Sequence, residues 1–247
     1  MRRGWISVAA SVAVLAFGGE ALAQPGSMTT QELSGTVGTH AVGASLTITD
    51  AQHFTSGHYF YTSQLKDIPL TGIEDGDKLI LTEPGGGVFH LTLKGNGSNG
   101  ANPLTFENSV GLVGTWTGGG KSLPVDLEMD SSLPGAPSDH RYADVTTESD
   151  SAYEARVHRW LTAVLTANKA EAAALTSYPL SVNYNRPTIF HTKTQLIAAW
   201  DKVFTPAMLT QLRAAVPHEM FVRNGQAMVA GGAAWFDAKG VMAINEP

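Results

Sequence analysis

The sequence predicts two folded units in series: an all-β unit at residues 30–128, built as an antiparallel β-sandwich or small barrel, and an α+β unit at residues 151–247. Three observations support this fold class. Apolar residues alternate with period two in the first region and recur with the helical period in the second. A polar segment at residues 129–150, rich in Ser, Pro, Asp and Thr, separates the regions and is typical of an interdomain linker.

The alternation in the first region predicts half-buried strands whose apolar residues share one face. Turn signals separate these segments, including Asp75-Gly76, Pro84–Gly87 and Gly118–Gly120. Their spacing indicates about seven or eight short strands. The clearest inward sets are Leu79 and Leu81; Phe89, Leu91 and Leu93; and Leu123, Val125 and Leu127.

The second region begins with an amphipathic helix, for which Ser151 is the expected N-cap and Glu154 the capping-box residue. A short alanine-rich helix follows. We expect a further amphipathic helix over Thr194–Phe204, and Thr205-Pro206 opens another because proline suits the first helical position. Short β-segments complete the region, so the pattern predicts helices layered on an antiparallel sheet.

The N-terminus has the composition of a secretory signal peptide, residues 1–23. Arg2 and Arg3 precede an apolar run, and Ala21-Leu22-Ala23 provides a small-residue cleavage site. The apolar run is short for a membrane span, although an uncleaved anchor is the alternative. The expected location is periplasmic or secreted, with no stable membrane anchor after cleavage.

Composition excludes several classes of function. The formal net charge is −6 and no Lys/Arg cluster is present, which argues against a nucleic-acid partner. The chain contains no cysteine, so thiol catalysis and thiolate metal sites are excluded. No cofactor is predicted.

The C-terminal region resembles the NTF2-like (cystatin-like cone) family. The resemblance lies in TAVLTANKAEAAALTSYPLSV, in the helix at Gln195–Phe204 and in FVRNGQAMVAGGAAWFD. The same arrangement is found in uncharacterised exported bacterial proteins with a glycine-rich β region in front. The resemblance implies a conical pocket between helices and a curved sheet. It implies no particular activity, because members of the family include enzymes and binding modules.

Three motifs lack the sequence context that their type of binding site requires. Gly95, Gly97 and Gly100 match a dinucleotide-binding string, but no helical pattern follows to hold a pyrophosphate. The histidines at positions 40, 53, 58 and 90 lack the spacing of a zinc site, so no metal is predicted. The carboxylates of Asp126, Glu128 and Asp130 share one strand face but lack the rest of a calcium loop.

Candidate site residues fall into three groups. Those expected to line a pocket in the C-terminal unit are Tyr178, Asn183, Trp200 and Trp235. His191 and His218 are weak catalytic candidates, and Asp201 or Glu219 would have to set the pKa of His191 for it to act as a base. Tyr59, Tyr61 and Trp116 are surface aromatic candidates for stacking on a sugar or a peptide; the alternative is that they fill the β core.

The preferred hypothesis is a non-enzymatic binding protein of the cell envelope. Its partner is a small molecule, a glycan or another envelope protein. One alternative is a pocket enzyme, an isomerase or hydrolase, with a histidine base in the C-terminal unit. Another is an inhibitor or protective partner of an envelope hydrolase. The ligand, the oligomeric state and whether the cone is hollow are left open by the sequence.

Overall fold

A computed structural model describes residues 27–49, 52–98 and 103–246. The predicted signal peptide lies outside the described residues, and so do residues 99–102 of the glycine-containing loop. Within the described residues, every helix is too short or too polar to cross a lipid bilayer.

The first unit is a closed antiparallel barrel of eight strands in sequence order. The barrel closes because the first strand also pairs with the eighth, with a register shift between Glu32 and Leu33. The strands are β1 Met28–Val37, β2 His40–Thr49, β3 Phe54–Tyr61, β4 Ile68–Asp75, β5 Lys78–Thr82, β6 Val88–Lys94, β7 Gly111–Gly118 and β8 Lys121–Pro134.

Side chains fill the interior of this barrel. Leu46, Ile48, Leu79, Leu81 and Leu112 are each at most 1% exposed. The void between the core side chains is only about 10 Å³. Between its strands, the described part of the barrel therefore holds a packed core with no ligand-sized cavity, as expected for eight strands whose inward residues are large.

The second unit packs five helices against a six-stranded mixed sheet of order β10-β9-β14-β13-β12-β11. The helices are α1 Asp150–Leu165, α2 Lys169–Ala174, α3 Lys193–Ala198, α4 Trp200–Val203 and α5 Pro206–Arg213. The strands are β9 Thr176–Asn183, β10 Thr188–Phe190, β11 Phe221–Arg223, β12 Gln226–Val229, β13 Ala234–Phe236 and β14 Val241–Asn245. Strand β14 pairs in parallel with β9.

The predicted fold class is wrong in two respects. The first unit is a closed barrel, so the sandwich alternative does not apply. The second unit is not clearly an NTF2-like cone, because its sheet is mixed and its centre is occupied by aromatic side chains. Trp160, 1% exposed, packs edge-on against Phe236 with ring centroids 5.3 Å apart. Apolar spacing located the elements, but it carries no information on which strand pairs with which.

Two helix boundaries also differ from expectation. The N-cap of α1 is Ser149, whose side chain accepts a hydrogen bond from the backbone N–H of Ala152. The helix predicted over Thr194–Phe204 is divided at Ala199, which ends α3 and precedes α4. The Thr205 cap and Pro206 start of α5 are as predicted.

The segment between the units is partly structured. Strand β8 continues to Pro134, and Tyr142 is completely buried in the core of the second unit. The buried residues form two separate hydrophobic clusters, one inside the barrel and one between the helices and the mixed sheet. The exact domain boundaries remain predictions.

Candidate functional site at the junction of the two units

The outer face of β1–β3 meets the second unit at a buried aromatic contact. Phe60 points out of the barrel, yet it is only 3% exposed. Its ring lies edge-on to the imidazole of His218, with centroids 4.4 Å apart and planes at 80°. Gly43 stands opposite Phe60 on β2, and the absence of a side chain there leaves room for the ring. This contact brings polar groups from distant parts of the chain together.

His218 bridges two carboxylates across the junction. Its Nε2 lies 2.8 Å from Oδ1 of Asp67 in the β3–β4 loop, and its Nδ1 lies 2.7 Å from Oε2 of Glu154 on α1. Burial lowers the pKa of His218, but the hydrogen bonds and charges of the two carboxylates outweigh it and raise the pKa to about 9. The imidazole is therefore charged at neutral pH.

Glu219 is the most buried carboxylate of the junction, with a side chain 6% exposed. It accepts hydrogen bonds from Nε2 of His58 on β3 and from Nη2 of Arg141, the latter at 2.8 Å. Burial lowers the pKa of His58, but the hydrogen bond and negative charge of Glu219 more than offset it, so the pKa is raised. The backbone of Glu219 has φ of 51°, a left-handed conformation that costs energy in a non-glycine residue.

Arg141 and Tyr142 are held by the start of α1. The backbone N–H groups of both residues donate to the Asp150 carboxylate, at 2.8 and 3.2 Å. The Arg141 guanidinium then lies 3.5 Å from Glu154 and 3.9 Å from Asp67. We call the six residues His58, Asp67, Arg141, Glu154, His218 and Glu219 the junction cluster.

Tyr142 supports the junction cluster from the core side. Its hydroxyl donates to Oε1 of Glu154 at 2.6 Å and accepts from the backbone N–H of Met220 at 3.1 Å. The hydroxyl thus orients the carboxylate that holds His218. It also fixes the backbone next to Glu219.

Glu32 lies beside the cluster at the register shift in β1. The hydroxyl of Ser45 donates to its Oε1 at 3.1 Å. Burial, and then the negative charge of Glu219, raise the pKa of Glu32 to about 7. A substantial fraction of this carboxyl group is therefore protonated near neutral pH.

Two crevices open at the junction, and both are lined by Glu32 and Glu219. The larger, which we call the first crevice, has a volume of about 410 Å³. Its apolar wall includes Leu33, Val42, Phe60, Val216, Phe221 and Met228. The second crevice, of about 310 Å³, reaches Arg141 and Ser45. The junction therefore offers crevices, open to solvent on one side, next to charged groups.

Of the two histidines proposed for catalysis, the structure places only His218 at a crevice. His191 follows β10 and is exposed; its backbone N–H donates to Gln195. Glu219, predicted as a partner for His191, instead contacts His58. Asp201, the other predicted partner, is 93% exposed at its side chain and lies 3.9 Å from Lys169.

The four predicted pocket residues are distributed around the second unit. Trp200 is buried in its core. The Tyr178 hydroxyl donates to the carbonyl of Ala173, and Trp235 Nε1 donates to the carbonyl of Gly232. Asn183 is exposed and donates to Asn245. The structure does not bring these four residues to the junction crevices.

The three aromatic candidates of the β unit pack against the barrel core. Tyr59 is 3% exposed and belongs to that core, while Tyr61 and Trp116 are partly buried against it. The acidic strand face is also occupied, since Lys94 forms ion pairs with Asp126 and Glu128. Tyr59 is thus a core residue, while a role of Tyr61 or Trp116 in stacking on a ligand stays a prediction.

Sequence reasoning missed Asp67, Arg141, Glu154 and Glu32 as site residues. Their hydrogen-bond partners lie up to 151 residues away along the chain, and no local spacing signals such a contact. Comparisons with protein-family models, with curated proteins and with solved structures give no match to this chain. The protein is thus a closed barrel joined to a helix-and-sheet unit, and the junction cluster lies where the two units meet.

Proposed function

We propose that the protein is an exported, non-enzymatic binding protein that takes a small organic cation, such as an amine with an apolar substituent, into the first crevice. One observation carries this proposal. Glu32 faces the crevice half-buried, with one hydrogen-bond donor, Ser45, and no ion pair among the described residues. A bound ammonium group would supply the missing positive charge.

The other charged groups of the first crevice already have partners. Glu219 is paired with Arg141 and His58, and both nitrogens of His218 are engaged by carboxylates. Asp130 is exposed and accepts a hydrogen bond from Ser34 at 3.1 Å. Once Glu32 is ionised, the uncompensated charge of the lining is negative, which favours a cation over an anion, and a bound cation in turn favours the ionised carboxylate.

The dimensions and walls of the crevice suit a small molecule. A volume of about 410 Å³ falls in the usual range of about 300–1,000 Å³ for ligand pockets, which often lie between domains. The apolar wall formed by Phe60, Val216 and Met228 would cover a hydrocarbon group of the ligand. The proposed ligand therefore has one charged end and one apolar end.

The alternative of an enzyme with a histidine base finds less support at this site. A general base must be able to accept a proton at the working pH. His218 has a pKa of about 9 and both of its nitrogens are hydrogen-bonded, so it is already protonated at neutral pH. Export itself is proposed from the N-terminal sequence alone, and the role as an inhibitor stays a prediction.

Thermal unfolding in the presence of ligands tests the proposal. Metal-free protein is titrated with benzylamine and cyclohexylamine, with benzoate and benzyl alcohol as shape-matched anionic and neutral probes. We expect the amines to raise Tm in a concentration-dependent way and the other probes to have no effect. Glu32→Gln should abolish the amine-dependent rise, whereas Glu128→Gln, on the exposed face paired with Lys94, should retain it.

Each variant is compared with its own ligand-free midpoint, because the substitutions also change the stability. Equal shifts with benzylamine and benzyl alcohol would show that charge plays no part. An unchanged response in Glu32→Gln would place binding elsewhere. Either result contradicts the proposal.

A further inference from the structure

We propose that His58, Asp67 and Glu219 form a binding site for a divalent transition-metal ion, with Zn²⁺ the best match. The ligand atoms are Nε2 of His58, one carboxylate oxygen of Asp67 and one of Glu219. These three atoms lie within 4.8 Å of one another, although they come from β3, the β3–β4 loop and the segment before β11. The inference does not depend on the amine-binding proposal.

The donor set and its spacing fit zinc. Imidazole nitrogen and carboxylate oxygen both bind Zn²⁺ with bonds of about 2.0–2.2 Å, so neighbouring ligand atoms of a tetrahedral site stand about 3.3–3.6 Å apart. Nε2 of His58 and Oδ1 of Asp67 are 3.5 Å apart. Nε2 of His58 and the Glu219 carboxylate are joined by a hydrogen bond, so they are closer together than two zinc ligands. Rotation of the Glu219 carboxylate would widen this separation to that of His58 and Asp67. The ion would then replace the proton of the hydrogen bond.

Outer contacts already orient both carboxylate ligands. Nε2 of His218 donates to Asp67 at 2.8 Å, and its Nδ1 is held in turn by Glu154. Arg141 donates to Glu219 at 2.8 Å. Protein metal sites have hydrogen-bonded ligands of this kind, and such outer partners fix the ligand geometry.

Carboxylates outnumber the permanent cation of the junction, since Asp67, Glu154 and Glu219 all lie around Arg141. The crevices that reach Glu219 provide an entry path and room for water as a fourth ligand.

The competing explanation is that the three residues only tie the two units together by hydrogen bonds. Metal titration separates the two explanations. Untagged protein, treated with chelator and then freed of it, is titrated with Co²⁺ while its visible absorption is recorded, and with Zn²⁺ in a calorimeter. We expect ligand-field absorption bands from Co²⁺ in a low-symmetry protein site, their loss on addition of Zn²⁺, and one ion bound per chain.

His58→Gln tests the ligand, and His53→Gln is the matched control. His53 also pairs with a carboxylate on the same barrel, that of Glu74, but its side chain is 67% exposed and it lies outside the junction cluster. We expect His58→Gln to abolish the Co²⁺ bands and His53→Gln to leave them unchanged. His218→Asn, which removes an outer partner, should weaken Zn²⁺ binding by about 10- to 100-fold.

Circular dichroism is used to establish that each variant is folded before it is titrated. The proposal is wrong if the folded wild-type protein shows neither Co²⁺ bands nor heat with Zn²⁺. It is equally wrong if folded His58→Gln binds as the wild type does. Because the amine experiment uses metal-free protein and depends on Glu32, the failure of one proposal can be told from the failure of the other.

Discussion

Nε2 of His218 lies 2.8 Å from Oδ1 of Asp67, although 151 residues separate them in the chain. The hydrogen bond runs from the loop before β11 to the barrel loop between β3 and β4. Together with the contact between His58 and Glu219, it joins the two units through charged groups that are mostly shielded from solvent. The orientation of the barrel against the helices therefore depends on a few polar side chains.

Loss of the His218 bridge should destabilise the metal-free protein. His218→Ala leaves the buried Glu154 carboxylate without its imidazolium partner, and removal of one member of a buried pair is costly. Because Asp67 is 43% exposed, we expect a loss of about 1–3 kcal/mol, below the full value for a buried pair. Urea denaturation measures it, and a double-mutant cycle with Asp67→Asn isolates the coupling.

His53→Ala is the control for that experiment, because the side chain is largely exposed although it pairs with Glu74. An exposed pair contributes about 0–1 kcal/mol. Equal losses in the two variants would show that the junction bridge has no special role in stability.

Glu32→Gln should make stability less sensitive to pH. The folded-state pKa of Glu32 is about 7, above the ordinary value of 4.5, through burial and the charge of Glu219, partly offset by Ser45, Arg141 and His58. Its stabilising contribution is thus fully present below pH 4.5 and is lost as the pH rises through 7. As the pH rises from 4.5 to 7, the free energy of unfolding of Glu32→Gln should therefore increase by about 1–3 kcal/mol relative to that of the wild type.

Denaturant unfolding of both proteins at a series of pH values checks this expectation. The control Glu128→Gln, on the exposed strand face, should run parallel to the wild type across the same range. A difference between Glu32→Gln and the wild type that stays constant with pH would contradict the assignment of a raised pKa to Glu32.

Tyr142→Phe should cost about 1–3 kcal/mol, because it leaves a buried backbone donor without its acceptor. That donor is the N–H of Met220, and the same hydroxyl also holds Glu154. Chemical denaturation measures the loss. Tyr178→Phe removes a hydroxyl that donates to the carbonyl of Ala173 in a partly exposed position, so its smaller effect is the comparison. Equal effects would show that Tyr142 has no supporting role at the junction.

Gly43→Ala should disturb the junction without touching the barrel core. A Cβ at position 43 would stand 2.3 Å from the ring of Phe60, which packs against His218. Overpacking of this kind costs about 1–3 kcal/mol. Gly85→Ala is the control, since the nearest atom to its added Cβ is 3.8 Å away. If the variant is as stable as the wild type, the packing argument is wrong. It is also wrong if the variant is destabilised and Phe60→Leu in the same background restores none of the lost stability.

Periodicity predicted the local features of this chain well, since they depend on neighbouring residues. Leu79, Leu91 and Val125 are buried in the barrel as the alternation predicted. The local sequence pattern could not predict that the barrel closes, because closure requires β1 to pair with β8, about a hundred residues later in the chain. The mixed sheet escaped prediction for the same reason, as β14 pairs with β9 across four intervening strands.

The junction cluster was the least predictable feature. From the sequence, His58 was only one of several histidines in the β unit, and Glu219 was predicted only as a partner for His191. Their contact spans 161 residues and depends on how two complete units dock. Spacing along the chain identifies ligands that share one helix or hairpin; it cannot identify ligands that tertiary structure assembles.

The central position of β14 has a consequence for the order of assembly. Residues 241–245 lie between β9 and β13, so they connect two otherwise separate pieces of sheet, β10-β9 and β13-β12-β11. Until this strand has emerged from the ribosome, the chain can form only two narrow pieces of sheet with open edges. Folding of the second unit must therefore wait for residues 241–245, whereas the barrel is complete once residue 134 is free.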